Sequence, residues 1–185
     1  MKTIKSIFSV LVLTLSFTIL TSCDVEPLDN AIDVNNGGGS GTVVTSFTAK
    51  VNGADFVASS ESIIGDYSPS SFGNELVISG STSTGKNISI TVINPAVATF
   101  PASFNVNNLT LLQYLDSSLG TNGGFTSYNQ TTDVSTGTVT ITHFDTVNNK
   151  VSGTFSFTAY NSTDTSTRSI TNGVFNNISF DNSVN

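Results

Sequence analysis

Few residues in this 185-residue chain are of types that do chemistry, and their spacing narrows the options further. There is one histidine, His143, with Asp145 two residues on and many serines elsewhere. A Ser-His-Asp hydrolase needs those three types in hydrogen-bonding succession. Nothing around the serines resembles a nucleophile elbow, so the residues favour a structural, packed or hydrogen-bonded His143 over a catalytic one. One cysteine, Cys23, rules out an internal disulfide and any multi-cysteine zinc site. Asp33, Asn35 and Gly38 have part of the spacing of a calcium loop, but its twelfth position falls on Val44 where a glutamate is required. Tyr67, Tyr114, Tyr128 and Tyr160 could stack on sugar rings or serve as half-buried packing. No cofactor and no metal are expected, and the reading is non-enzymatic.

Charge excludes further classes. The 6 cations and 13 acids leave a formal charge of −7, and no two of Lys50, Lys86, Lys150 and Arg168 are neighbours in the sequence. Nucleic-acid binding requires clustered cations that neutralise phosphates, so no nucleic-acid partner is expected. An anionic bilayer would repel the same surface, and membrane attachment must then come from something other than charge.

That something is a thiol at the end of an export leader. Lys2 and Lys5 form a positive start, Ile7–Leu20 is apolar but for Ser and Thr, and Leu20-Thr21-Ser22-Cys23 closes the segment. Fourteen helical residues reach only about 21 Å against roughly 30 Å of hydrocarbon, short for a permanent span. The closing tetrapeptide resembles a bacterial lipobox. The resemblance implies cleavage between Ser22 and Cys23, diacylglycerol on the Cys23 sulfur, and acylation (palmitate or a similar chain) of the new amino terminus. Each buried methylene contributes about 0.8 kcal/mol, and two or more chains anchor stably. An ordinary secretory leader with an incidental cysteine, or an N-terminal membrane helix, are the alternatives. Loss of Lys2 and Lys5 with the leader would take the formal charge to −9. Asp24 and Glu26 resemble an inner-membrane retention signal in one convention and a surface-export signal in another.

The chain divides into three parts: residues 1–22 as leader, 23–42 as a lipidated cysteine with an acidic, Gly-rich tether, and 43–185 as one domain. The tether has no apolar period and ends in Asn35-Asn36-Gly37-Gly38-Gly39-Ser40-Gly41, which favours flexibility.

Within the domain, period-two alternation predicts strands. Val43, Thr45, Phe47, Ala49 and Val51 share a face, and Asn52-Gly53 signals a two-residue type I′ turn. That turn pairs Val51 with Ala54, Ala49 with Phe56 and Phe47 with Ala58, and sets Lys50 against Asp55. A second hairpin joins Glu75–Ser79 to Asn87–Ile93. Pro95 and Pro101 make Asn94–Ala102 a connection or an edge. Leu109–Leu119 fits a strand better than a helix. Near the C-terminus, Val139, Ile141 and His143 face Val151, Gly153, Phe155, Phe157 and Ala159. A three-residue loop Val147-Asn148-Asn149 pairs Ile141 with Phe155, Val139 with Phe157 and His143 with Gly153. Ile170–Phe180 follows, with Val174, Ile178 and Phe180 in phase and a bulge at Asn172-Gly173. The expected fold is all-β, an antiparallel β-sandwich or flattened β-barrel of roughly eight to ten short strands.

Phe47-Thr48-Ala49-Lys50-Val51-Asn52-Gly53, Gly137-Thr138-Val139-Thr140-Ile141-Thr142, Val151–Ala159 and Ile170–Phe175 resemble segments of small Bacteroidota lipoproteins that carry a β domain of unknown function. The resemblance covers most of Val43–Phe180, with Ser59–Gly124 matching poorly. Phe56 stands where members often have Trp. It implies a cell-envelope location, an outer membrane and surface exposure rather than retention. Asp145-Thr146-Val147 resembles the short O-glycosylation motif of such exported proteins, with Thr146 as acceptor. The expected function is a membrane-anchored, non-catalytic β module that binds an extracellular glycan or protein partner, or is structural. A small lipocalin-like carrier with a phenylalanine-lined cavity is the alternative, and a hydrolase using His143 comes third.

Overall fold

The computed structural model describes residues 44–184. Ser22, Cys23 and the tether lie outside the described residues. The chain runs β1 (Ser46–Val51), β2 (Ala54–Val57), a 3₁₀ turn at Ser60–Ser62, β3 (Ile64–Ser70), β4 (Gly73–Ser81), β5 (Lys86–Ile93), β6 (Ala98–Pro101) and β7 (Thr110–Asp116). A second 3₁₀ segment, Ser117–Asn122, leads to β8 (Gly124–Thr126), β9 (Tyr128–Asn129), β10 (Val134–Ser135), β11 (Thr138–Asp145), β12 (Lys150–Tyr160), β13 (Thr167–Ser179) and β14 (Asp181–Asn182). Ten strands have four or more residues, at the upper end of the expected number, and four are pieces of two or three.

The domain is all-β, as the alternation predicts. β12 shows the cause plainly: Val151, Gly153, Phe155, Phe157 and Ala159 are buried while Thr154 and Ser156 between them are exposed. One large sheet takes the order β14-β3-β4-β5-β7-β8-β12-β13-β1-β2, with β11 on β12 and β6 on the outer edge of β11; β9 and β10 pair separately. The sheet curls into a half-barrel around a single core. β14, one residue past β13, lies parallel to β3, whereas every other strand pair is antiparallel. Through this bend one chain segment borders both runs of strands. The Ser183 N–H donates to the Tyr67 carbonyl at 2.9 Å and extends the contact.

Three aromatic groups fill the interior. Phe47 packs on Phe56 and Phe155, with centroids 6.2 and 5.3 Å away, and Phe155 stacks with Phe175 at 6.4 Å. Tyr67, Phe144 and Phe180 form a second group, and Tyr114 with Phe125 a third. Ile78, Ile88, Ile90, Leu112 and Ile178 are fully buried, each such side chain contributing about 1.5–3 kcal/mol over its exposed state. β4 approaches β1 and β2 so closely that a Cβ on Gly80 would sit 2.8 Å from the Ala58 Cβ and 3.1 Å from the Phe47 ring.

The first hairpin has the predicted register: Val51 opposite Ala54, Lys50 opposite Asp55, Ala49 opposite Phe56. Asn52 and Gly53 take φ of 49° and 84°, both positive as a type I′ turn demands. Lys50 Nζ meets Asp55 Oδ1 at 2.7 Å. β4 and β5 pair Leu76 with Val92 and Ile78 with Ile90, and Leu109–Leu119 is mostly strand β7.

The β11–β12 hairpin departs from expectation. Asp145 pairs with Lys150 across a four-residue loop, Ile141 with Gly153 and Val139 with Phe155, a two-residue displacement from the predicted pairing. The cause is Asp145, whose Oδ1 accepts the N–H groups of Val147 (2.9 Å) and Asn148 (3.0 Å) and closes an Asx turn one residue earlier. Such a loop alone would put Ile141 on the wrong face. A bulge between Ile141 and His143 restores it. Phe144 therefore turns toward the core and His143 outward, so His143 is exposed rather than packed, opposite Ser152. Asn149 does take the left-handed conformation, φ 54°.

β13 carries the expected bulge at Asn172 (φ 52°) and a second at Asn177 (φ 50°). Each consumes one residue and resets the phase. Ile170, Phe175, Ile178 and Phe180 are thus buried, while Val174, expected inside, is 39% exposed. Ala98–Pro101 is an edge strand on β11, as Pro101 at its end and Pro95 ahead of it favour.

Candidate functional site

The described residues bring one group of exposed aromatic and polar side chains together, around Tyr128. β9 and β10 form a two-rung hairpin, with Asn129 opposite Val134 and Tyr128 opposite Ser135. Asn129 Oδ1 accepts the N–H groups of Thr131 (2.9 Å) and Thr132 (3.3 Å), and Asp133 takes φ 56°, which folds the connecting turn. Buried Ser127 holds the base: its N–H donates to the Leu112 carbonyl at 2.8 Å, its Oγ accepts the Leu112 N–H at 3.2 Å, and its carbonyl accepts the Thr136 N–H at 2.9 Å. The short hairpin is therefore tied to β7.

The Tyr128 hydroxyl donates to Asp133 Oδ1 at 2.8 Å. That hydrogen bond to a carboxylate, with some burial and the carboxylate charge, pushes the phenol above its ordinary pKa. Phe104, from the loop after β6, lies parallel to the Tyr128 ring with centroids 4.5 Å apart and planes 9° from parallel. Phe104 is 55% exposed. Its loop is shaped by Ser103 Oγ, which accepts the Asn105 N–H and donates to Asn108 Oδ1, both at 3.2 Å.

Tyr128 lines two clefts. One, of about 390 Å³, is lined by Ser103, Phe104, Asn105, Asp133 and Ser135 besides Tyr128. The other, of about 160 Å³, is lined by Asn129, Gln130, Thr131, Tyr160, Asn161 and Thr165 among others. Asn161 fixes the far wall. It is buried, accepts the Thr163 N–H at 2.7 Å, and donates from Nδ2 to the Asn122 carbonyl at 2.6 Å. Asp133 is the only ionisable carboxylate and there is no cation among these lining residues. A third cleft of about 420 Å³ lies over β5, β7 and β8, with Asn87, Ser89, Gln113 and Leu115 in its lining. Its aromatic residues, Tyr114 and Phe125, are buried, and the Arg168 guanidinium sits 4.6 Å from the centre of the Phe125 ring.

The candidates His143, Asp145 and Thr146 fall elsewhere. His143 and Asp145 lie on the outer part of the β11–β12 hairpin, where Asp145 Oδ2 also accepts from Asn148 Nδ2 at 2.6 Å. Those bonds, Asn148 first, hold the carboxyl below its usual range. Thr146 is exposed at the loop, and its carbonyl accepts from Asn182 Nδ2 at 3.3 Å. Among the described residues no group of three or more His, Cys, Asp or Glu is placed to hold a metal ion, and no helix is long and apolar enough to cross a membrane. Of the four tyrosines, Tyr67 and Tyr114 are buried packing, and Tyr128 and Tyr160 line clefts. Phe104 was not among the candidates. The signal for it is a lone aromatic between Pro101 and the Asn-rich run Asn105–Asn108, a turn segment without apolar alternation.

Residues 44–179 match the family described as a domain of unknown function, DUF6252. No curated protein and no solved structure matches the chain.

Proposed function

The chain belongs to the DUF6252 family, a domain of unknown function, and from that premise we propose that it is a lipoprotein of the cell envelope. In this reading it is held in the outer membrane by acylated Cys23 and presents a non-catalytic β module at the surface. The observation that carries the binding role is the parallel Phe104–Tyr128 pair, partly exposed, with Tyr128 lining two clefts that also hold amide and hydroxyl side chains. Apolar rings beside convergent amides and hydroxyls are the usual chemistry of a ligand site. The leader and the Leu20-Thr21-Ser22-Cys23 sequence support the anchor. The exposed His143, beside a carboxylate already engaged in a turn, supports a non-catalytic module over a hydrolase. Phenylalanine rings laid against Gly153 and Gly173 occupy the interior at those points, which weighs against a carrier.

Protease added to intact cells tests the presentation. Loss of the domain from undisrupted cells is the expected result, together with release of a Cys23→Ala variant from the membrane fraction. A domain that stays protected until the envelope is broken would refute surface display. Thr146 modification is tested by intact mass: added hexoses in the wild type, absent in Thr146→Ala, are expected, and an unmodified mass removes it.

A further inference from the structure

Resting on the binding-module reading, we propose that the paired clefts about Tyr128 take a neutral oligosaccharide. Three features of the site select that chemistry. The first is the aromatic surface. Phe104 and Tyr128 make a stacked pair whose outer parts are solvent-accessible, and the apolar C–H face of a pyranose ring packs on such a surface at low cost in ordering, because aromatic side chains have few torsions to lose.

The second is the polar complement. Asn105 and Ser135 in one cleft and Gln130, Thr131 and Thr165 in the other supply amides and hydroxyls, groups that both donate and accept and so match the hydroxyls of a sugar. The third is charge. The lining holds no Lys, Arg or His, so a phosphate, sulfate or uronate would be desolvated there without a counter-ion. Asp133 accepts the Tyr128 hydroxyl and fixes the ring. The tie of Ser127 to Leu112 makes the platform preformed, which lowers the cost of binding. Two clefts that share one ring in their linings provide for more than one sugar unit.

The test titrates the full chain by calorimetry with neutral hexasaccharides of the β-glucan, xylan, mannan and chitin types, and with a polygalacturonate hexamer as the charged control. Binding of at least one neutral oligomer is expected, with an affinity unchanged between about 0.05 and 0.5 M salt. Phe104→Ala should weaken it about tenfold, and Tyr128→Phe, which retains the ring, by no more than about threefold. Phe104 is exposed, so its variant should keep the wild-type melting temperature. Absence of binding to every neutral oligomer, a preference for the uronate, or unchanged affinity in Phe104→Ala would overturn the proposal. Failure here with the domain still removable by protease from intact cells leaves the surface-module reading standing and removes the sugar alone.

Discussion

Gly153 and Gly173 stand on neighbouring strands, each opposite the phenylalanine whose ring lies over it: Gly153 pairs with Phe175, and Gly173 with Phe155. A Cβ on Gly173 would lie 2.5 Å from two atoms of the Phe155 ring, and one on Gly153 would collide with the Thr140 carbonyl and the Phe175 ring. Neither has a positive φ, so close approach is the constraint and not backbone freedom. Gly153→Ala and Gly173→Ala should each lower the unfolding free energy by about 1–3 kcal/mol, as overpacking does. Gly124→Ala, with open space at its Cβ, should change it by less than about 0.5 kcal/mol. Urea titration distinguishes them, and equal effects at all three sites would contradict the packing described. At Asp116 the relevant physics is charge. Buried at the end of β7, it accepts from the Ser118 hydroxyl at 2.6 Å, the Ser118 N–H at 3.1 Å and the Tyr114 hydroxyl at 3.3 Å. Ser118 chiefly holds its carboxyl below the usual carboxylate range, while burial and the Asp116 charge push the Tyr114 phenol up to about 12. A depressed carboxyl pKa adds stability that is complete above the unfolded-state value and lost as pH falls through the folded one. The wild-type advantage over Asp116→Asn in thermal melts should therefore hold from pH 7 to about 5. It should decline from about pH 4 downward, and a constant difference down to pH 2 would sink this assignment.

At the scale of elements, the hairpins with short, chemically distinctive turns were legible in the sequence and the bulged ones were not. Asn52-Gly53 has little choice but a left-handed pair, and its alternating flanks then set every partner from Val51–Ala54 to Ala49–Phe56. Gly53→Val puts a β-branched residue at φ 84° and should cost about 1–2 kcal/mol by denaturant titration. No loss would mean that the turn is not of this type. The β11–β12 pairing was hidden because the Asp145 carboxylate, rather than the apolar pattern, set the loop length, and one bulge then compensated. The Asn172 bulge is marked by the glycine that follows it, whereas nothing in an Asn-rich strand distinguishes the bulging Asn177 from Asn176 beside it. The Tyr128 site was half legible. Its tyrosine is one of four candidates, but Phe104 meets it only through loops and a two-rung hairpin that alternation cannot predict. The parallel pairing of β14 with β3 was equally out of reach, since it depends on the bend after β13. Deleting residues 181–185 should accelerate amide hydrogen exchange in β3 and lower the melting temperature, because Asp66 and Tyr67 lose their strand partners. Unaltered exchange in β3 would show that β14 contributes nothing to the sheet.

For the whole molecule, the physical theme is a body stabilised by aromatic packing, with little charge on its surface and a single cysteine outside it. One continuous core joins strands from both ends of the domain, and its unfolding should follow one cooperative transition by fluorescence and circular dichroism alike. The all-β class was readable from the period-two alternation, because that pattern is an average over many residues. A ligand site depends on a few side chains meeting across loops, which averages do not reveal. Location rests on residues 1–23, and there the proposal is most exposed to test. The decisive measurement is the mass of the N-terminal peptide of the mature protein recovered from its own membranes. The expected result is a peptide beginning at Cys23 and carrying diacylglycerol with an acylated amino group. A peptide beginning elsewhere, or Cys23 as a free thiol in protein from the soluble fraction, would contradict it.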